Sequence, residues 1–79
     1  MNALNMFNEL GYDCVCVKGG NDHVIANYQF YKSGCGFIEF DLEEHLVKID
    51  MRYGCDYSVL RADEVMAINQ MCKELGWIR

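Results

Sequence analysis

The residues of this chain best suited to catalysis or metal binding are its five cysteines and two histidines. A structural zinc site usually takes its ligands from two closely spaced pairs, whereas Cys14-Val15-Cys16 is a single pair and no Cys-x-x-Cys occurs. A thiol enzyme needs a cysteine beside a histidine and an orienting acid, and Cys55-Asp56 with His45 or His23 supplies only the residue types. We therefore predict no catalytic residues, no metal site and no cofactor, with a small thiol or metal protein as an alternative.

The cysteines also bear on the compartment. Their odd number and irregular spacing indicate reduced thiols rather than the paired framework of a small secreted protein. The N-terminal residues lack the basic start and apolar stretch of a signal peptide, and no apolar run of about 18 residues could span a bilayer. We expect a cytoplasmic protein without membrane contact.

Carboxylates are the second set of residues whose spacing suggests a function. Twelve acidic against seven basic residues give a net charge of -5, which repels phosphate backbones and argues against direct binding to duplex nucleic acid. One predicted hairpin contains five of the acids, opposed there by Lys48 and Arg52. These acids are Glu39, Asp41, Glu43, Glu44 and Asp50.

Carboxylates at strand spacing along a protruding hairpin can imitate phosphate charge and occupy the basic groove of a nucleic-acid-handling protein. Exposed aromatic residues beside them would anchor such an interface. We predict that the five acids and Phe37 form a partner-binding site, with further aromatic candidates at Tyr28, Tyr31, Tyr53 and Tyr57. The alternative is a solvated hairpin that keeps the protein soluble and protects an edge strand from aggregation.

The segment Ser33-Gly34-Cys35-Gly36-Phe37-Ile38-Glu39-Phe40 resembles the octamer of RNA recognition motif domains. Six of its eight positions fit that pattern, but Ser33 replaces the basic residue and Cys35 replaces an aromatic one. That family also places a helix after this strand, where Glu43-Glu44-His45 here predicts a hairpin turn. Single-stranded RNA binding through this degenerate motif is a further alternative.

Two helices are predicted at the ends of the chain. Leu4, Phe7 and Leu10 recur at helical spacing before Gly11, which predicts a helix over residues 3–10. A second apolar stripe predicts a helix over residues 61–75, ending before Gly76. Its members are Val65, Ile68, Cys72 and Leu75. Both helices end in Glu-Leu-Gly followed by an aromatic residue, which indicates the same stop signal used twice.

Four strands are predicted between the helices, over residues 12–18, 23–32, 37–42 and 47–53, with turns at 19–22, 33–36 and 43–45. If Glu43 and Glu44 form a two-residue turn, three pairs of residues face each other across the hairpin. These pairs are Phe40 with Val47, Ile38 with Ile49, and Glu39 with Lys48. A slip of two residues would keep the same faces, so the register stays open.

The composition, with 52% hydrophobic residues and no proline, is that of a folding chain, and 79 residues suit one domain over 1–79. We predict an α+β fold of two layers, in which a four-stranded antiparallel meander lies between two helices in the chain and both helices cover one face of the sheet. A domain of this size leaves little room for an enclosed pocket, which argues against an ordinary enzyme.

At the scale of the whole chain, this layout resembles small accessory proteins encoded by phages and prophages of Gram-positive bacteria. The similar segments are residues 7–12, 37–41, 64–69 and 74–77. The resemblance implies a compact acidic protein that binds and disables a host factor such as a CRISPR effector nuclease. The sequence leaves open whether the protein is a monomer or a homodimer. Together with the acidic hairpin, the resemblance predicts a non-enzymatic inhibitor of a defence or nucleic-acid-processing protein that has a basic surface.

Overall fold

The computed structural model describes residues 1–20 and 25–78, with only the backbone described at Tyr57. Part of the predicted turn at 19–22 and the start of the predicted second strand therefore lie outside the described residues. Two helices and five strands follow one another along the chain. They are α1 (Ala3–Glu9), β1 (Asp13–Lys18), β2 (Ile25–Lys32), β3 (Gly36–Asp41), β4 (Leu46–Tyr53), β5 (Asp56–Tyr57) and α2 (Ala62–Glu74).

The strands form one antiparallel sheet in the order β1-β2-β3-β4-β5. The predicted helix, four-stranded meander and helix are confirmed. The two-residue strand β5 is an addition, because the sequence predicted only a connection at this position. Its pairing places Arg52 opposite Tyr57 and Tyr53 opposite Asp56. The chain therefore reverses over Gly54 and Cys55 before it enters α2.

The β3–β4 hairpin has the register expected for a two-residue turn of Glu43 and Glu44, but the turn is longer than predicted and spans residues 42–45. Phe40 lies opposite Val47, Ile38 opposite Ile49, and Glu39 opposite Lys48. The register slipped by two residues is therefore not adopted. The two side chains of each cross-strand pair point to the same face of the sheet. The first two pairs therefore lie on an apolar face of the hairpin, and the pair of Glu39 and Lys48 lies on the opposite, charged face.

The apolar face of the sheet contacts α1 and the residue that follows α2. Phe7 of α1 stacks on Phe30 of β2, with ring centroids 4.1 Å apart, and meets Phe40 of β3 edge-on. Trp77, which follows α2, contacts Phe40 with ring centroids 6.3 Å apart. Phe30 and Phe40 lie on the same face of the sheet as the buried Ile38. Aromatic rings contribute most of the buried area per residue in a core this small.

Both helices end in the hydrogen-bonded motif indicated by the repeated Glu-Leu-Gly-aromatic segments. After α1, Gly11 has a φ of 90° and the Tyr12 N–H donates to the Phe7 carbonyl oxygen at 3.0 Å. After α2, Gly76 has a φ of 78° and the Trp77 N–H donates five residues back at 2.9 Å. The motif turns Tyr12 and Trp77 back toward the core, where both pack.

Gly36 is required by the close approach of β3 to β4. Its φ is 139°, and a Cβ at this position would lie 1.8 Å from the carbonyl oxygen of Asp50. We expect Gly36→Ala to lower the free energy of unfolding by about 2 to 4 kcal/mol, because the two strands must separate to admit the methyl group. Urea unfolding of the variant and of the wild type measures this difference.

Gly20→Ala is the matched control, since no atom lies within 4 Å of the Cβ position at Gly20. We expect its free energy of unfolding to stay within about 0.5 kcal/mol of the wild type. Equal stability of the two variants would contradict the close contact between β3 and β4.

Candidate functional site

The predicted partner-binding residues lie on one hairpin. Phe37, Glu39 and Asp41 alternate along β3 on the face that points away from the helices, and Asp50 of β4 lies opposite Phe37. Glu43 and Glu44 are exposed in the turn that joins these strands. We call these six residues the acidic hairpin surface. The structure thus brings together all six residues that the sequence singled out.

Lys48 reduces the charge at the centre of this surface. Its Nζ lies 3.6 Å from Asp41 Oδ2 and 3.9 Å from Glu39 Oε2, so one ammonium group is shared by two carboxylates. The side chains of Glu39 and Asp41 are only 14% and 15% exposed. These two acids therefore lie along the sheet, whereas Glu43, Glu44 and Asp50 are exposed.

Asp41 also orders the turn. Its Oδ1 accepts hydrogen bonds from the backbone N–H groups of Glu43 and Glu44, each at 3.0 Å. The N–H of Glu44, followed by that of Glu43 and the Lys48 ammonium, holds the pKa of Asp41 below its usual range. The ionised carboxylate of Asp41 therefore orders the backbone of Glu43 and Glu44, whose own carboxylates are exposed.

The turn is supported from the helical layer as well. His45, with a φ of 56°, stacks on the indole ring of Trp77, with ring centroids 5.0 Å apart and planes 18° apart. Trp77 in turn contacts Phe40 in the core. The tip of the hairpin is therefore connected to the C-terminal end of α2.

The aromatic candidates divide between the two faces of the sheet. Tyr28 and Tyr53 pack against the core. Tyr31, which is 40% exposed, lies opposite the half-buried Phe37 on the outer face. The side chain of Tyr57 lies outside the described part of the structure. The outer face therefore carries an aromatic pair, Tyr31 and Phe37, beside the acids.

Sequence analysis missed a buried carboxylate on the other side of the molecule. Glu64 in the first turn of α2 is 1% exposed, and its Oε2 accepts hydrogen bonds from the hydroxyl groups of Tyr12 and Tyr53. Its Oε1 accepts the backbone N–H of Arg61 at 2.7 Å. A glutamate three residues after the N-cap residue of a helix is a recognisable capping signal, but the two tyrosines come from distant segments that the pattern does not connect.

The pKa values in this cluster indicate a structural role. Burial alone would raise the pKa of Glu64, but the hydrogen bonds from Arg61, Tyr12 and Tyr53 and the nearby Lys32 ammonium outweigh it, so the pKa lies below its usual value. Burial and hydrogen bonding to Glu64 raise the pKa of both phenols. A general acid or base works best with a pKa near the operating pH, and these shifts move all three groups away from neutrality.

The thiols and histidines form no metal site among residues 1–20 and 25–78, where no group of three or more His, Cys, Asp or Glu side chains could hold an ion. Burial, with the neighbouring thiol of Cys16, raises the pKa of Cys14, and burial raises the pKa of Cys72. His23 lies outside the described residues. Neither described helix is both long and apolar enough to cross a membrane.

No protein-family model matches this chain, and neither does any of the curated proteins or solved structures with which it was compared. The resemblance to phage and prophage accessory proteins therefore remains a prediction.

The buried carboxylate makes stability depend on pH. Because the folded-state pKa of Glu64 is lowered, its ionised form stabilises the fold above the unfolded pKa of about 4.3, and this stability is lost as the pH falls through the folded-state pKa. We expect Glu64→Gln to lower the free energy of unfolding by about 1 to 3 kcal/mol near neutral pH, with a smaller difference in acid. Urea unfolding at a series of pH values measures both effects.

Asp63→Asn is the matched control, since Asp63 is an exposed acid in the same helical turn. Its loss should stay below about 1 kcal/mol, the usual contribution of an acid at a helix N-terminus. Equal losses for the two variants, or a Glu64→Gln loss that persists at the lowest pH, would contradict the assignment of Glu64 as the buried anionic acceptor.

Proposed function

We propose that this protein is a non-enzymatic binding protein whose acidic hairpin surface docks against a basic surface of a partner protein. The observation that carries the proposal is the convergence of five carboxylates and Phe37 on one strand pair and its turn, with one lysine shared between two of the acids. A negatively charged surface steers association with a positively charged partner and disfavours binding to nucleic acid.

The geometry of the turn favours binding over mere solubility. Asp41 bonds the backbone of Glu43 and Glu44, and the stacking of His45 on Trp77 joins the turn to the helical layer. Carboxylates that serve only solubility need no such support. A preorganised turn loses little conformational entropy when a partner binds, so more of the electrostatic attraction appears as affinity.

The aromatic pair on the outer face, Tyr31 and Phe37, supplies a second component of the proposed interface. Tyr31 and Phe37 lie on neighbouring strands beside Asp50, so an aromatic contact area is bordered by charge. Interfaces commonly combine a desolvated aromatic centre with a polar rim, which gives affinity at the centre and specificity at the rim. The acids of β3 are spaced two residues apart, about 7 Å along the strand, which suits a row of basic side chains.

The partner we propose is a host protein with a basic groove that handles nucleic acid, such as a CRISPR effector nuclease. The resemblance to phage and prophage accessory proteins suggests this class, and the net charge of -5 is compatible with occupation of a groove that would otherwise hold a nucleic acid. In that position the protein acts as a competitive inhibitor.

Binding of single-stranded RNA is less well supported. Tyr31 and Phe37 could stack on bases, but Phe37 is flanked by Glu39 and Asp50, which repel the phosphates of the same strand. Cys35, at a position where the RNA-binding octamer has an aromatic residue, packs against the core. The acids around Phe37 and the packing of Cys35 against the core therefore both disfavour RNA binding at this motif.

Charge reversal at the turn tests the proposal. Glu43 and Glu44 are exposed and enter the turn hydrogen bonds through their backbone, so Glu43→Lys with Glu44→Lys should leave the fold intact. In capture experiments from Gram-positive host lysates, we expect the wild type to enrich basic nucleic-acid-binding proteins in a salt-sensitive manner. The double variant should reduce this enrichment about 10-fold or more.

Glu9→Lys with Asp56→Lys is the matched control, because both residues are exposed acids outside the acidic hairpin surface and the net charge changes equally. The control should capture the same proteins as the wild type. Equal loss in both variants would assign binding to net charge alone, and capture that survives reversal at the turn would reject the acidic hairpin surface as the site.

A further inference from the structure

Strand β1 is an edge of the sheet, and all six of its residues are exposed. Its centre, residues 14–17, has the apolar sequence Cys-Val-Cys-Val and keeps a regular register with β2. The one irregularity comes at Lys18, where Ala26 of β2 has no opposite residue in β1. Edge strands usually carry a charge, a bulge or a proline that prevents pairing with another chain, and the centre of β1 carries none of these.

We infer that the free edge of β1 pairs with β1 of a second copy of this chain, in an antiparallel arrangement about a two-fold axis perpendicular to the sheet. In this arrangement the two β1 strands lie side by side at the centre of the joined sheet, and each is flanked by β2 of its own copy. The helices of both copies lie on the same face of that sheet. The result is one continuous sheet through the dimer, in which each copy presents the same strand to the other.

The charges of β1 favour a second copy as the occupant. The strand begins at Asp13 and ends at Lys18, so it has opposite charges at its two ends and no net charge. Antiparallel self-pairing centred on Val15 places Asp13 of each copy opposite Val17 of the other, one residue from Lys18, so unlike charges share each end of the ribbon. Parallel self-pairing would place like charges together, which costs stability in a sheet.

The side chains of the strand are also self-complementary. When the pairing is centred on Val15, which is 42% exposed on the outer face, the Val15 side chains of the two copies meet, and Val17 lies opposite Asp13 of the other copy. On the helix side, Cys14 of one copy lies opposite Cys16 of the other. Both faces of the joined ribbon then bury apolar groups that one copy leaves in water.

The net charge of each copy does not oppose this pairing. Strand β3 lies two strand spacings from β1, so the β3 strands of two joined copies are about 24 Å apart. This distance is about three times the Debye length at physiological ionic strength, so repulsion between the two acidic hairpin surfaces is largely screened. The dimer also leaves both surfaces free, and the inference does not depend on the proposed function.

Analytical ultracentrifugation over a concentration series, with a reductant present, tests the inference. We expect the wild type to reach twice the 9.1 kDa mass of the chain. Val15→Lys places like charges opposite each other at the centre of the ribbon and should weaken self-association about 10-fold or more. Leu46→Lys, at another exposed apolar position of the outer face, should leave self-association unchanged. A wild type that stays monomeric, or a dimer insensitive to Val15→Lys, would overturn the inference.

Thiol cross-linking provides an independent measurement that needs no substitution. Opposite Cα atoms in an antiparallel pair lie about 4.5 to 5.5 Å apart, which suits a disulfide. Diamide takes up two hydrogen atoms as two thiols form one disulfide, and we expect linked dimers joined through the peptide that contains Cys14 and Cys16. Dimers joined through Cys35, Cys55 or Cys72, or no linked dimers, would contradict the pairing of β1.

Discussion

The hydrogen bonding of the buried Glu64 carboxylate is the constraint on which the arrangement of this domain depends. An ionised carboxylate removed from water costs several kcal/mol unless donors replace its hydration. Here the donors are the hydroxyls of Tyr12 and Tyr53 and the backbone N–H of Arg61. They come from the end of α1, the end of β4 and the start of α2, so satisfying one carboxylate fixes three segments relative to one another.

The support of the acidic hairpin surface depends on that arrangement of the three segments. The start of α2 is held at Tyr53, and Trp77, which follows the end of α2, contacts Phe40 and His45. A second link, from the Ala3 N–H to Glu74 Oε2 at 2.7 Å, joins the start of α1 to the end of α2. The hairpin turn is therefore supported by the core, although its carboxylates point to solvent.

The sequence was sufficient to predict the parts of the fold that local patterns determine. Alternation of apolar and charged residues predicted β3 and β4, and their register agrees with a turn centred on Glu43 and Glu44. The pairing of Lys48 with both Glu39 and Asp41 was only partly predictable. The predicted register places Lys48 opposite Glu39, but the position of its flexible side chain decides whether the ammonium group also reaches Asp41. The cluster around Glu64 was not predictable, since helix periodicity identifies neither a buried acid nor tyrosine partners 52 and 11 residues away.

The central claim is that the acidic hairpin surface is the contact site for a basic partner. Hydrogen–deuterium exchange of the protein, free and bound to a captured partner, tests this claim most directly. We expect binding to slow exchange at the backbone amides of residues 37–50, while α1 and α2 keep the exchange rates of the free protein. Protection confined to the helices, with no change between residues 37 and 50, would contradict it.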